Sequence, residues 1–249
     1  MSVNDVQYAT ALREQYVELA SHHNAQDSEY TAHVLTPRDN DGIRDAALVL
    51  GEAFEHGDPV FSHLREVGQR HKPLNRFFEY VVRESLMRGG SPVVAYRDDE
   101  TPVAASLYEL PGMRPESTVY TYLHGAPPTI RAFGLSGALR AGSAVAEVDQ
   151  KMNEIKADLK KPVLYLAYIG VRPDFRGTGA IHAVADPALK LADKFDLFAT
   201  LVSSNRQQNH DAFTKAGYRE VSTTHYDGGT GPVLGNMVRR PKQSGANLV

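Results

Sequence analysis

One segment in the second half of the chain constrains the fold more than any other. Leu164 to Val171 is a near-continuous apolar run, which is typical of a central strand buried on both faces of a sheet. The run leads through a glycine-rich turn at 176–179 into Ala180–Lys194, whose composition and length predict a helix. A buried strand, a turn and a helix in succession place the chain among folds that mix strands and helices.

The turn itself carries a chemical signal. Its sequence is Arg176-Gly177-Thr178-Gly179-Ala180, so small residues leave several backbone N–H groups exposed where the helix begins. The partial positive charge of a helix N-terminus favours a phosphate or pyrophosphate at such a place. A pair of glycines also occurs in ordinary turns, so the turn alone leaves both interpretations open.

The rest of the chain alternates between helical and strand patterns. Before the central strand, apolar periodicity and turn residues predict helices at Val3–Ala20, around 43–54 and at Leu74–Met87, a short strand at His33–Leu35, and a hairpin of Val93–Tyr96 and Val103–Leu110. The segment from Gly112 to Lys161 is predicted to be helical, with a long helix opening near Gly142-Ser143. After the central helix we expect strands at Phe198–Val202, Tyr218–Tyr226 and Leu234–Val238 and a helix at Asn209–Ala216.

Composition excludes several classes of function. The sequence has no cysteine, which excludes disulfides, thiolate zinc sites and a cysteine nucleophile, and its ten histidines lack metal-ligand spacing, so we expect no metal. A formal net charge of -3 gives no global attraction to nucleic acid or to anionic membranes. Neither a secretory signal nor an apolar run long enough to cross a membrane is visible, which predicts a cytoplasmic protein.

The turn and a second segment together resemble a known superfamily. Asn209-His210-Asp211-Ala212-Phe213 and the step Gly217-Tyr218 follow a strand that ends in Ser203-Ser204. This combination resembles the GNAT superfamily of N-acyltransferases, whose acyl-CoA loop has the form R/Q-x-x-G-x-G/A. The resemblance is to puromycin N-acetyltransferase and related small-molecule acetyltransferases, and it extends from about 33 to 241.

The resemblance implies a fold and a domain organisation. The expected fold is of the α/β (α+β mixed) class, with a central mixed, mostly antiparallel sheet flanked by helices. Residues 33–241 would form the acyltransferase domain, with a helical insertion at about 112–161. Residues 1–32 would be an N-terminal helical extension, and 242–249 a polar tail.

The resemblance also implies an activity and a binding site. The chain would transfer an acetyl or other acyl group from acyl-CoA to the amine of a small molecule, such as an antibiotic or a metabolite, by direct attack on the thioester. Backbone N–H groups at Ile169 and Val171 would hold the pantetheine arm, and one of them would act catalytically by donating to the acyl carbonyl. The remaining donor-binding residues would be the pyrophosphate loop Gly177, Thr178, Gly179 and Ala180, the charged Arg176, and Asn209 on the pantetheine side.

Three positions depart from the family pattern. Ile181 stands where the loop has Gly or Ala, so a β-branched side chain is expected where the phosphate approaches. Phe213 stands where many members carry a tyrosine that protonates the departing thiolate, and a phenyl ring has no proton to give. Val202 stands where the relatives have a strand glutamate, so a carboxylate base from that strand is also missing.

Four residues are candidates to fill these roles, each with a structural alternative. Glu109 or His124 would act as a base. A glutamate beside a turn is more often a solvated rim residue, and such a histidine is more often a hydrogen-bonded residue that is partly buried or at the surface. Ser204 would approach the leaving sulfur, although a serine at a strand end is usually a cap. Tyr108 would line the acceptor pocket, and a packed core tyrosine is the equal alternative.

Two other functions stay open at this point. The departures at Ile181 and Phe213 would suit a transferase of the same fold that uses aminoacyl-tRNA or a carrier-bound acyl group. The net charge of -3 disfavours binding of tRNA. The second alternative is a non-catalytic member of the superfamily that binds a ligand or a protein partner. The intact glycine loop disfavours this alternative. The sequence leaves the oligomeric state open, with a homodimer among the alternatives.

Overall fold

The computed structural model describes residues 3–24, 29–55, 57–65, 73–97, 100–115, 117 and 120–242. The described helices are α1 (Val3–Asn24), α2 (Asn40–Glu55), α3 (Pro59–Leu64), α4 (Asn75–Arg88), α5 (Ala126–Leu159), α6 (Ala180–Lys194) and α7 (Arg206–Lys215). The described strands are β1 (Tyr30–Val34), β2 (Val93–Arg97), β3 (Pro102–Glu109), β4 (Val163–Val171), β5 (Phe198–Ser203), β6 (Tyr218–His225) and β7 (Val233–Arg239).

The strands form one sheet in the order β1-β2-β3-β4-β5-β7-β6. All neighbouring strands run antiparallel except β4 and β5, which are parallel and are connected through α6. A parallel pair needs a crossover connection, and the helix predicted after the glycine turn supplies it. The predicted mixed, mostly antiparallel sheet flanked by helices is therefore confirmed.

A hydrophobic core lies on each face of the sheet. On one face α1 and α6 cover the strands, and Leu12, Leu164 and Leu191 are completely buried there. On the other face α2, α4 and α5 pack over the strands around the buried Leu50, together with an aromatic cluster of Phe61, Phe78 and Phe133. The sheet is thus enclosed from both sides, as the apolar pattern of β4 predicted.

Strand β4 is irregular at one point. Leu107 of β3 pairs with Tyr168 and Tyr108 pairs with Leu166, so Ala167 is an extra residue in β4. Such a bulge bends its strand and shifts the alternation of side chains by one residue. As a result both Leu166 and Ile169 pack against the core under α6.

Most predicted elements are confirmed, the bounds of three are corrected, and one short helix was not predicted. The helix Ala180–Lys194 has the predicted bounds, whereas β1 and α7 each begin three residues earlier than predicted, at Tyr30 and Arg206. The long helix α5 begins at Ala126, and a π-helical turn at Thr121–Gly125 precedes it, so the predicted opening near Gly142 is wrong. The short helix α3 was not predicted, because it spans only six residues.

Two glycines shape α5. Gly134 has φ 76° and ψ 174°, and this non-helical residue is a kink that divides α5 into two helical parts. At Gly137 a Cβ atom would lie 2.2 Å from the carbonyl oxygen of Leu64, so glycine permits α5 to pack closely on the end of α3. Glycine at this position is therefore explained by a contact between two helices.

The N-terminal helix is part of the same core. Leu12 and Tyr16 of α1 are completely buried, and α1 packs against α6 and β1. Among the described helices, none is long and apolar enough to cross a membrane. The predicted polar tail lies outside the described residues except for Lys242.

Candidate functional site

The site begins where β4 and β5 separate. The two parallel strands pair only from Val163↔Phe198 to Leu166↔Leu201, although β4 continues to Val171. Beyond Leu166, β4 keeps its partner β3 and loses its partner β5. A gap between two central strands therefore opens directly after the bulge at Ala167.

The register determines which N–H groups face the gap. The N–H of Arg172 donates to the carbonyl oxygen of Val103 in β3, at 2.9 Å. Because hydrogen-bonded and non-hydrogen-bonded pairs alternate along an antiparallel ladder, the N–H groups of Tyr168 and Gly170 also face β3. Those of Ile169 and Val171 face the opposite side, and neither donates to another backbone group in the part of the chain that the structure describes.

Helix α2 packs against the half of β4 that borders the gap. A Cβ atom at Gly170 would lie 2.6 Å from the Cβ of Ala53, so glycine is needed for this close approach. Arg172 at the end of β4 donates to Glu52 at 2.7 Å, with both side chains partly buried. These contacts attach the open half of β4 to α2.

The glycine turn follows directly and exposes further donors. Gly177 and Gly179 have φ angles of 80° and 90°, which favour glycine, and Gly179 caps α6 without a side-chain hydrogen bond. A Cβ atom at Gly177 would meet no atom within 4 Å, so the turn is open to a ligand. The first N–H groups of α6, at Ala180 and Ile181, have no acceptor within the helix.

The two side chains of the turn that were predicted to bind the donor are held by the protein. Arg176 is exposed and donates through Nη2 to the carbonyl oxygen of Ala53 at 3.1 Å. Thr178 is also exposed and donates to the carbonyl oxygen of Phe175 at 2.8 Å. The guanidinium of Arg176 keeps further donors beside the turn.

Ile181 lies between the turn and the core. Its side chain is half-buried and packs against the apolar cluster under α6. Part of the side chain therefore points away from the side from which a phosphate would approach. The backbone N–H of Ile181 stays available at the helix start.

Helix α7 follows β5 and packs against β5 and β6. Asn209 and Phe213 are both half-buried there, and the ring of Phe213 packs edge-on against Tyr218 at 6.0 Å between centroids. Ser203, at the end of β5, is 3% exposed, and its hydroxyl has no partner among the described residues. The hydroxyl of Thr200 in the same strand is orphaned as well, so it is the two β4 N–H groups that point to a polar ligand in the gap.

A buried carboxylate lies at the end of β5 and was not found from the sequence. Asp58 is 8% exposed and precedes α3, where its Oδ1 accepts from the N–H groups of Val60 and Phe61. Its Oδ2 accepts a hydrogen bond from the hydroxyl of Ser204. The only local signal was Asp58-Pro59, which is typical of a helix start.

Burial raises the pKa of Asp58, and its hydrogen bonds offset only part of that effect. The pKa of the nearby Tyr226 is raised by burial and then by Asp227, Asp58 and Glu147. Asp227 in turn pairs with His63 of α3 at 3.0 Å. This corner, formed by α3, α5 and the loop between β6 and β7, is therefore rich in carboxylates.

The structure places three predicted residues away from the gap. Glu109 pairs with Tyr165, four residues before Ile169 and so about 13 Å away along β4, and it forms an ion pair with Arg88 at 2.9 Å. Tyr108 is 2% exposed and packs edge-on against Tyr16, so it belongs to the core beneath α1.

The third is His124, which is exposed in the π-helical turn before α5. Its ring lies 4.5 Å from that of Tyr120, which stacks on Tyr80 of α4. Val202, the position of the relatives' strand glutamate, is half-buried and packs against the core under α2. Ser204 is thus the predicted catalytic side chain that the structure brings to the open ends of the strands.

Comparison with known proteins gives the fold a name. No protein-family model and no curated protein sequence matches the chain. Solved structures do: a histone acetyltransferase HPA2 and related acetyltransferase from Corynebacterium glutamicum matches with 20% identity and a TM-score of 0.55, over 87% of this chain and 98% of its own. Arylalkylamine N-acetyltransferase 2 from Aedes aegypti matches with 12% identity and a TM-score of 0.56, over 86% of this chain and 100% of its own.

A third structure is similar in the same way. The polyamine N-acetyltransferase of Drosophila melanogaster, described as forming N-acetylagmatine, matches with 12% identity and a TM-score of 0.55, over 85% of this chain and 99% of its own. The chain has the GNAT acetyltransferase fold. The gap beside Ile169 and the turn at Gly179 are therefore features of a GNAT-fold protein.

Proposed function

We propose that the chain is an N-acyltransferase that moves an acyl group from acyl-CoA to the amine of a small molecule. The observation that carries the proposal is the open half of β4, where Ile169 and Val171 present N–H groups to a gap that leads to the glycine turn at Gly179. Two N–H groups spaced along an extended strand can bind an extended amide chain as another strand would. Uncapped N–H groups at a helix start suit a pyrophosphate.

The residues that would hold the donor follow from this arrangement. The turn from Arg176 to Ala180, together with the N–H of Ile181, would hold the pyrophosphate. Ile169 and Val171 would hold the pantetheine arm, with Asn209, Phe213 and Ser203 on the other wall. When bound, acetyl-CoA supplies an acyl group activated as a thioester.

Catalysis would depend on positioning and on electrostatic stabilisation. A backbone N–H at the gap would donate to the acyl oxygen as negative charge develops on it. The strand cannot move far from this position, because Gly170 is packed against Ala53 and Arg172 is paired with Glu52. The acceptor would approach from the corner of Asp58, Glu147 and Asp227, whose carboxylates suit a basic amine.

Two neighbours favour amines as acceptors. The solved structures with this fold include enzymes named for arylalkylamines and for polyamines. Agmatine and phenylethylamine are therefore suitable first probes of acceptor activity. The acyl group and the natural acceptor are left to that screen.

Isothermal titration with acetyl-CoA tests the donor assignment. Gly179→Glu and Gly179→Gln impose the same backbone strain at φ 90°, and they differ only in charge at the proposed pyrophosphate position. We expect wild type to bind, and Gly179→Glu to bind roughly tenfold or more weakly than Gly179→Gln, because a like charge opposes the phosphates. Melting curves check that both variants fold.

Gly142→Glu is the matched control for charge. Gly142 is exposed on α5, and a Cβ atom there would meet nothing within 4 Å. This variant should bind acetyl-CoA as wild type does. Absence of binding by wild type, or equal binding by the two Gly179 variants, would contradict the assignment.

A further inference from the structure

Asp58 has a hydrogen-bond arrangement that exceeds what a helix cap requires. An N-cap needs one side-chain oxygen, and Oδ1 fills that role by accepting from Val60 at 2.9 Å and from Phe61 at 3.1 Å. The second oxygen accepts from Ser204, which is 146 residues away in the sequence and follows β5 directly. The carboxylate thus connects α3 to the open end of β5.

The hydrogen bond fixes the direction of the Ser204 hydroxyl. Its proton is donated to Asp58, so the lone pairs of Oγ remain as acceptors. Ser204 is half-buried, whereas Asp58 is buried behind it. Of the two side chains, the serine is thus the more exposed one at the end of β5.

Burial favours the protonated form of Asp58. The charged and titratable groups of this corner are His63 from α3, Arg140 and Glu147 from α5, and Asp227 from the loop after β6. His63 and Arg140 both face Asp227, at 3.0 and 4.0 Å. These two side chains are thus directed to another carboxylate.

We propose that Ser204 accepts the proton of the attacking amine while it passes its own proton to Asp58. The inference rests on the proposed acyltransferase function and adds a proton route to it. Ser204 would be the catalytic residue that touches the amine, and Asp58 a positioning residue and proton acceptor that acts through it. The pair would serve in place of the strand glutamate of the relatives, whose position Val202 occupies here.

The amine nitrogen forms a bond to the thioester carbonyl carbon, and the carbon–sulfur bond breaks with its electron pair on sulfur. One proton leaves the nitrogen for Ser204 Oγ, and the serine proton moves to Asp58 Oδ2. The proton on Asp58 then returns to the CoA thiolate through Ser204 or water, so the products are an amide and a free thiol.

Asp58→Asn separates this role from the cap. Asparagine caps helices as well as aspartate does, but it cannot take up a proton. We expect it to melt at or above the wild-type temperature, to bind acetyl-CoA normally, and to release CoA about 10²- to 10⁴-fold more slowly with agmatine, phenylethylamine or water as acceptor. Ser204→Ala should lose a similar factor, and the double variant should lose little more, since the two residues act as one unit.

Two further measurements distinguish a proton role from a structural one. In wild type, kcat/KM should rise as Asp58 loses its proton, and Asp58→Asn should lack that limb of the pH profile while keeping the limb set by the amine. Asp39→Asn is the matched control, because Asp39 accepts from the N–H of Gly42 at the start of α2 and is exposed. It should leave turnover unchanged.

The outcomes separate the two proposals. Wild type that does not bind acetyl-CoA overturns the proposed function and this inference with it. Wild type that binds acetyl-CoA but equals Asp58→Asn in turnover, including no turnover by either, overturns this inference alone. Loss of activity that tracks loss of melting temperature in Asp58→Asn would also overturn it, because the cap would then be the whole role.

Discussion

The two halves of β4 have the same kind of sequence and different surroundings. From Val163 to Leu166 the strand pairs with β5, and Tyr165 and Leu166 pair with β3 as well, whereas from Tyr168 to Val171 it pairs only with β3. The residues of the paired half serve the core, as the completely buried Leu164 does. The unpaired half offers N–H groups to a ligand, so a missing strand contact rather than a special side chain makes this half the candidate site.

The first prediction compares one apolar side chain from each half. Leu164→Ala should cost about 2–5 kcal/mol of unfolding free energy, because it leaves a cavity in a closed core. Ile169→Ala should cost less than half as much, since Ile169 is half-buried and its surroundings are open on one side. Urea titrations of both variants measure the two values.

Equal costs for the two variants would break the comparison. They would mean that the strand at Ile169 is as enclosed as it is at Leu164. The neighbouring Val171→Ala variant, also half-buried, shows whether the lower cost belongs to the whole open half.

The second prediction compares two acids at opposite ends of the central strands. Asp58 lies beside the end of β5, and Glu109 lies at the end of β3. Burial raises the pKa of Asp58 above its unfolded value, so its ionisation costs stability as the pH rises through the folded pKa. Asp58→Asn removes that cost. The unfolding free energy of Asp58→Asn minus that of wild type should therefore grow with pH above the ordinary aspartate range and then level off.

Glu109 is the ion-paired acid of the comparison. It pairs with the guanidinium of Arg88, so Glu109→Gln should lose about 1 kcal/mol or less. Thermal melts of both variants and wild type from pH 4 to pH 8 give the comparison. A difference between Asp58→Asn and wild type that shrinks as the pH rises would show that the carboxylate is stabilised in the folded protein.

The sequence predicted the elements that local patterns specify. The bounds of α6 agree with the prediction because the glycine turn and the amphipathic pattern mark both ends. The segment from Gly112 to Lys161 was predicted to be helical, but the opening of its long helix was placed near Gly142. The kink at Gly134 and the close approach of Leu64 to Gly137 are tertiary features that apolar periodicity does not contain. Apolar periodicity therefore predicted the existence and type of the helices and strands better than their first and last residues.

The site was predictable only where its chemistry lies in the backbone. The glycines at 177 and 179 indicated a turn in the sequence itself. The resemblance to the superfamily predicted that Ile169 and Val171 bind the donor. The role of Asp58 depends on a hydrogen bond to Ser204, which no local pattern contains. Glu109 was attractive because it ends β3, but only the register shows that it ends at the closed half of β4.

Residue-resolved amide hydrogen exchange tests the central claim most directly. Without ligand, the N–H groups of Tyr168 and Gly170, which face β3, should exchange slowly, and those of Ile169 and Val171 should exchange much faster. Acetyl-CoA at saturation should slow Ile169 and Val171 selectively, because they would then donate to the bound pantetheine arm. Uniform protection along β4 without ligand, or unchanged exchange at Ile169 and Val171 with acetyl-CoA bound, would contradict the account.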